Sequence, residues 1–82
     1  METVHLGFNN VIIKQRVVGV VSAGAKPVKR LVEEARKGNR VVDVTSGRKT
    51  RSVVITDSGF IFLSSLQPQT IIERIESNAE VK

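Results

Sequence analysis

Residues 51–65 read RSVVITDSGFIFLSS: two runs of β-branched, aliphatic and aromatic residues on either side of Asp57-Ser58-Gly59. Runs of that composition between turn-forming residues are strands. A short loop ending in glycine folds the second run back on the first, with Gly59 in the left-handed conformation that a side chain disfavours. A hairpin at this point commits the middle of the chain to an antiparallel sheet.

Upstream, "RVVDV" (Arg40–Val44) is a further short strand. Before it, "AKPVKRLVEEARKG" has helical periodicity, with Val28, Leu31, Val32 and Ala35 in one apolar stripe. Pro27 suits the first helical turn and Gly38 the C-terminal stop. At the start of the chain, Val4–Phe8 reads as a strand and Gly7–Asn10 as a turn, because Gly and Asn tolerate positive φ. "VIIK" and "RVVGVV" follow as one bent strand or two, with Gly19 marking a bulge or a close backbone approach. Downstream, a second helix starts at Pro68 with Ile71, Ile72 and Ile75 on its apolar face, and Asn78–Lys82 reads as a frayed tail. Strands dominate, without regular βαβ alternation. The expected class is α+β: a mostly antiparallel β-sheet with two short helices, in one small domain over residues 1–82 with an ordered core of about 3–77.

A chain of 82 residues buries a modest fraction of its surface, so assembly is a natural source of added stability. With no cysteine, disulfides and thiolate metal sites are excluded, and His5 is the only imidazole. No metal or other cofactor is expected. The N-terminus has no basic segment followed by a long apolar run, and no stretch has bilayer-spanning length, so the protein reads as cytoplasmic.

Charge is unevenly distributed. Residues 14–51 hold eleven cations against three carboxylates, a net of +8, while the remainder holds two against five, a net of −3; together they give the overall +5. A basic segment of this kind points first to nucleic acid and second to an anionic membrane surface. Lys29, Arg30, Arg36 and Lys37 share a helix with Glu33 and Glu34 and read as its solvated face. Arg16, Arg48, Lys49 and Arg51 have no carboxylate nearby in sequence. Ser46, Gly47 and Thr50 add hydroxyl and backbone donors of the kind phosphates accept, and guanidinium forks suit phosphates bidentately. These four cations are the candidate anion-binding residues.

Enzymatic readings find little support. His5 sits in a strand without an obvious carboxylate partner, the glutamates of the first helix point about 100° apart, and "GRKT" lacks the glycine spacing of a phosphate-binding loop. Phe8, Phe60 and Phe62 are the only aromatics, and all three fall in strand-like runs where burial is expected. That argues against a stacking mode for single-stranded RNA and for backbone contact with a duplex.

Taken together, "HLGFNNVIIKQRVVGVVS" and "AKPVKRLVEEARKGNRVVDVTSGRKTRSVVITDSGFIFLSSLQPQT" resemble the RemA family of bacterial regulators of extracellular-matrix genes. The likeness runs from about Val4 to Ile75. Its most specific pieces are the GF-N turn, the P-x-K-R helix start, D-x-T-x-G-R-K-T-R and L-S-x-x-Q-P. The resemblance implies a DNA-binding transcriptional regulator of biofilm-matrix operons and osmoprotection genes, ring-shaped homo-oligomers and a fold similar to LytTR-type DNA-binding domains. It places the family's functional arginines on Arg16 and on the pair Arg48 and Lys49. Lysine at 49 keeps the charge of the family's arginine but not its fork. Ser46 stands where the family often has tyrosine, and Asn9 where it often has glycine.

The expected partners are therefore double-stranded DNA and further copies of the chain in a ring, with no membrane and no small-molecule ligand. Three other readings stay open on the sequence: an oligomeric scaffold whose basic surface meets an acidic protein, an RNA-binding post-transcriptional regulator, and a peripheral membrane protein. The last has only a small aliphatic stripe without an aromatic anchor to support it.

Overall fold

The computed structural model describes residues 2–80, with side chains as far as Ser77. Its elements in order are β1 (Thr3–Gly7), β2 (Asn10–Ile13), a single 3₁₀ turn (Lys14–Arg16), β3 (Val17–Ser22), α1 (Lys26–Lys37), β4 (Val41–Asp43), β5 (Ser52–Thr56), β6 (Ile61–Ser64) and α2 (Pro68–Glu80). The fold is α+β. β1 and β2 form a two-stranded antiparallel sheet, and the other strands form a four-stranded sheet in the order β3-β5-β6-β4.

The β5–β6 hairpin is the centre of the larger sheet. Val53 pairs with Leu63, Val54 with Phe62 and Ile55 with Ile61, and Gly59 closes the turn at φ 90°. Alternation along β5 then sends neighbouring side chains to opposite faces. Val53 joins Ile61, Leu63 and Ala35 in one apolar cluster, with Val28 and Val32 of α1 packed against it. Val54 joins Val4, Leu6, Ile12, Val44 and Ile71 in another, with Phe62, Leu66 and Ile75 beside it. So α1 covers one face, while α2 and the β1–β2 hairpin cover the other. A strand buried on both sides needs a continuous apolar run, which is why 53–55 reads Val-Val-Ile.

Two buried hydroxyls fasten the N-terminal hairpin and the loop before α2 to this sheet. Ser64 Oγ donates to Leu6 O at 2.9 Å, and Ser52 Oγ donates to Leu66 O at 2.8 Å. Both serines are fully buried. Removing the Ser64 donor would strand the buried Leu6 carbonyl, and removing that of Ser52 the half-buried Leu66 carbonyl, which explains serine at positions that pattern alone would fill with an apolar residue.

The structure resolves one open expectation and corrects others. "VIIK" and "RVVGVV", expected as one bent strand or two, are two strands in different sheets, separated by the 3₁₀ turn. Gly19 does sit at a bulge, where the β3–β5 register slips between Val17 and Gly19; among the described residues, a Cβ at this position would meet open space. α1 ends at Gly38 as expected, but the left-handed residue is Asn39 at φ 58°. Arg40 N and Asn39 N then donate to Ala35 O and Arg36 O, the bonds of a Schellman cap. Leu31 does not complete the buried stripe of α1; it is 38% exposed, because the sheet beneath the helix accommodates Val28, Val32 and Ala35. β4 runs parallel to β6. α2 continues through residues 78–80, where a frayed tail was expected, and residues 81 and 82 of that segment lie outside the described part.

Candidate functional site

Strand register sorts the cations. Ser52 pairs with Ser22 on one side and with Ser64 on the other, so one end of the four-stranded sheet gathers the end of β3, the start of β5 and the end of β6. Arg51 N donates to Ser64 O at 2.9 Å and Arg51 O accepts from Ala23 N at 3.1 Å, so the sheet pairing continues one residue beyond β5. Arg48 and Lys49 lie just ahead on the same loop.

That loop has a built conformation. Asp43 Oδ1 accepts from Thr45 N at 2.9 Å and from Thr45 Oγ1 at 2.6 Å. Those two bonds, first the hydroxyl and then the amide, hold the Asp43 carboxyl below the ordinary aspartate value near 3.8, with a smaller contribution from Arg36. Ser46 and Gly47 follow at φ 53° and 80°, and Arg48 N donates to Thr45 O at 3.1 Å. Two successive left-handed residues closed by such a bond make a tight turn of the I′ pattern, which projects Arg48 and Lys49 from the sheet end. The D-x-T-x-G motif is thus a scaffold for the cations that follow it.

Two shallow clefts flank the projecting residues. One, of about 640 Å³, is lined by Gly7, Phe8, Arg48, Lys49, Arg51, Ser65 and Leu66. The other, of about 410 Å³, is lined by residues that include Lys29, Lys49, Thr50, Arg51 and Gln67. Arg48, Lys49 and Arg51 are exposed, and among the described residues none of the three has an ion-pair partner. The arrangement can hold an anion that presents several acceptors along a line.

Arg16 is not part of it. It ends the 3₁₀ turn at the opposite end of the sheet, where Asp57 N donates to Arg16 O at 3.0 Å. From Asp57 back to Arg51 is six residues of extended chain, about 20 Å. Its side chain is also engaged: Arg16 Nε lies 3.3 Å from Asp57 Oδ1, both groups half exposed. The reading that no carboxylate offsets Arg16 is corrected; the hairpin turn supplies one from far along the chain. No sequence signal within a few residues of Arg16 announces that partner.

Two further residues join the site from outside the predicted set. Lys29, read as part of the wet face of α1, lines the smaller cleft. Phe8, read as a core residue, is 47% exposed, and the Arg48 guanidinium carbon lies 5.3 Å from its ring centroid. Phe60 is likewise exposed, at 42%, and only Phe62 packs against a core cluster. The signal for Phe8 was present in its neighbours, since a residue between Gly7 and Asn9 in a tight turn projects outward.

The RemA-like family, described as extracellular matrix regulatory protein A-like, matches residues 3–75. This chain belongs to the RemA-like family. The family is one of regulatory proteins, and the chain's relatives include three bacterial proteins each called "Putative regulatory protein". One from Thermodesulfovibrio yellowstonii is 50% identical over 72 residues, covering 88% of this chain and 85% of its own. One from Acaryochloris marina is 40% identical over 82 residues, covering all of this chain and 93% of its own. One from Oceanobacillus iheyensis is 42% identical over 81 residues, covering 99% and 94% respectively. The RemA-like match takes in both the GF-N turn and the loop of the basic cluster. Among the described residues, no helix is long and apolar enough to cross a membrane.

Proposed function

We propose that this RemA-like protein is a homo-oligomeric, DNA-binding transcriptional regulator of extracellular-matrix genes. Arg48, Lys49 and Arg51 hold successive phosphates of a duplex. The observation that carries this reading is the cluster itself: three exposed cations, free of ion pairs among the described residues, on one loop bordered by hydroxyls and by Lys29. Exposed charge left uncompensated by its own fold is free for an external polyanion, and phosphate contacts of this kind dominate affinity for nucleic acid.

Each subunit supplies only a few such contacts. A closed ring repeats them at fixed spacing, so that weak contacts add as avidity. The opposite end of the sheet suits contact between subunits. β3 is an edge strand, Val18 at its bulge is 68% exposed, and Ile13, just ahead of the 3₁₀ turn, is exposed at the end of β2. We assign Arg16, which lies among these residues in sequence, to that subunit contact.

Fluorescence anisotropy with a labelled promoter duplex tests the reading, with unlabelled duplex, heparin and single-stranded RNA as competitors. Duplex outcompeting both, together with weaker binding by Arg48→Ala, is the expected result. Heparin competing as well as duplex would favour a scaffold for acidic partners, and RNA competing better would favour a post-transcriptional role. Sedimentation of Arg16→Ala against the unaltered chain tests the assembly, with dissociation expected.

A further inference from the structure

Phe8 occupies a conformation that few bulky residues adopt. Gly7, Phe8 and Asn9 are all left-handed, at φ 99°, 54° and 66°. Asn10 locks the turn from below, its Nδ2 donating to Gly7 O and to Phe8 O, each at 3.0 Å. Backbone held in a disfavoured region by its surroundings is a pointer to function. Here its result is that a large apolar ring stands outside both core clusters. The ring instead lines the cleft that holds Arg48, Lys49 and Arg51.

Contact with Arg48 alone does not account for this. An exposed cation–π contact is weak. A rigid, flat apolar surface among phosphate-binding cations has a closer chemical match in the face of a nucleobase. Proteins that bind the minor groove frequently set an apolar side chain such as Phe against a base step, partly unstacking it and bending the helix.

We propose that Phe8 is the base-contacting residue of the cation cluster, a wedge set against a base step of the duplex whose phosphates Arg48, Lys49 and Arg51 hold. The inference rests on the DNA-binding reading and adds to it a source of selectivity. Pyrimidine–purine steps unstack most readily, so the ring favours sites that place TA or CA steps opposite it.

The test uses the full chain and a set of AT-rich duplexes, each with 2-aminopurine at one TA step and a dye pair at the ends. Binding by the unaltered protein is expected to raise 2-aminopurine fluorescence in at least one duplex and to shorten the end-to-end distance. Phe8→Ala is expected to bind about 10- to 100-fold more weakly, to lose both signals and to keep the salt dependence of binding. Phe8→Trp keeps an aromatic ring at the same position. Because the chain has no tryptophan of its own, quenching of the new indole emission by duplex reports stacking directly and serves if the alanine variant does not fold. Unchanged 2-aminopurine signal and affinity in Phe8→Ala, or unquenched emission from the Phe8→Trp variant on duplex, would overturn the wedge while leaving salt-dependent binding intact. So would a double variant, Phe8→Ala with Arg48→Ala, that binds no worse than Arg48→Ala. Absence of salt-dependent duplex binding by the unaltered protein would instead overturn the DNA-binding reading, and the wedge with it.

Discussion

The two ends of the four-stranded sheet carry similar residues and treat them differently. At one end Arg16 faces Asp57, and the pair is internal to the subunit. At the other, Arg48, Lys49 and Arg51 stand on a loop that follows β4, and the carboxylate of Asp43 at the end of that strand is committed to Thr45. The same charge is therefore partly neutralised at one end and available at the other. What separates the two cases is strand register: the hairpin turn that closes β5–β6 carries an aspartate to one end of the sheet, and among the described residues nothing equivalent pairs with the cations of the other. Counting carboxylates near a cation along the chain misses this; counting them across the sheet captures it.

That contrast can be broken most severely by charge removal. Replacing Arg48, Lys49 and Arg51 together with alanine is expected to weaken duplex binding on the order of 100-fold or more at moderate salt, measured by anisotropy, with the fold retained by circular dichroism. Arg16→Ala in the same assay is expected to act through assembly, so that its deficit shrinks as protein concentration rises. Equal, concentration-independent losses in both variants would erase the distinction between the two ends.

A smaller effect concerns how the basic end is fastened. Ser64→Ala leaves the buried Leu6 carbonyl without its donor and is expected to cost about 1–3 kcal/mol in denaturant unfolding. The exposed Arg16–Asp57 pair at the other end contributes little; Asp57→Asn is expected to change stability by less than about 1 kcal/mol.

The Asp43 turn gives a pH-dependent prediction. Its carboxyl is held below the ordinary aspartate value, first by the Thr45 hydroxyl and then by the Thr45 amide. A carboxyl depressed in the folded state stabilises the fold above its unfolded value, near 3.8, and loses that contribution as pH falls through the folded value. Stability at neutral pH should therefore be insensitive to this group's titration, with the loss appearing only in acid. Asp43→Asn is expected to flatten that acid limb and to cost about 0.5–1 kcal/mol at pH 7. An acid limb as steep in Asp43→Asn as in the unaltered chain would remove Asp43 from the account.

Much of the fold was legible because local chemistry and tertiary structure agree there. The Asp57–Gly59 turn and the Pro27 helix start each need a residue type that the local pattern displays. The misreadings fall where a distant contact, or for Phe8 the conformation of its own turn, decides. Leu31 fits the helical period, yet the sheet below α1 has no place for it. Phe8 has the composition of a core residue, and only the three consecutive left-handed residues expel it. Arg16 looks free until the hairpin turn arrives beside it. At the candidate site, Arg48, Lys49 and Arg51 were legible as a run and the outward turn of Phe8 in its neighbours; that Phe8 and Lys29 meet the cations was not, because the N-terminal hairpin and α1 reach that corner only through packing.

The central claim, that the basic loop tracks phosphates, is tested most directly by the salt dependence of duplex binding in the unaltered protein and in the triple alanine variant. Each phosphate contact contributes about 0.9 to the slope of log affinity against log salt, so removing three is expected to reduce its steepness by about 2.7 per engaged subunit. A variant with the same slope as the unaltered protein, or an unaltered protein whose binding ignores salt, would contradict the account.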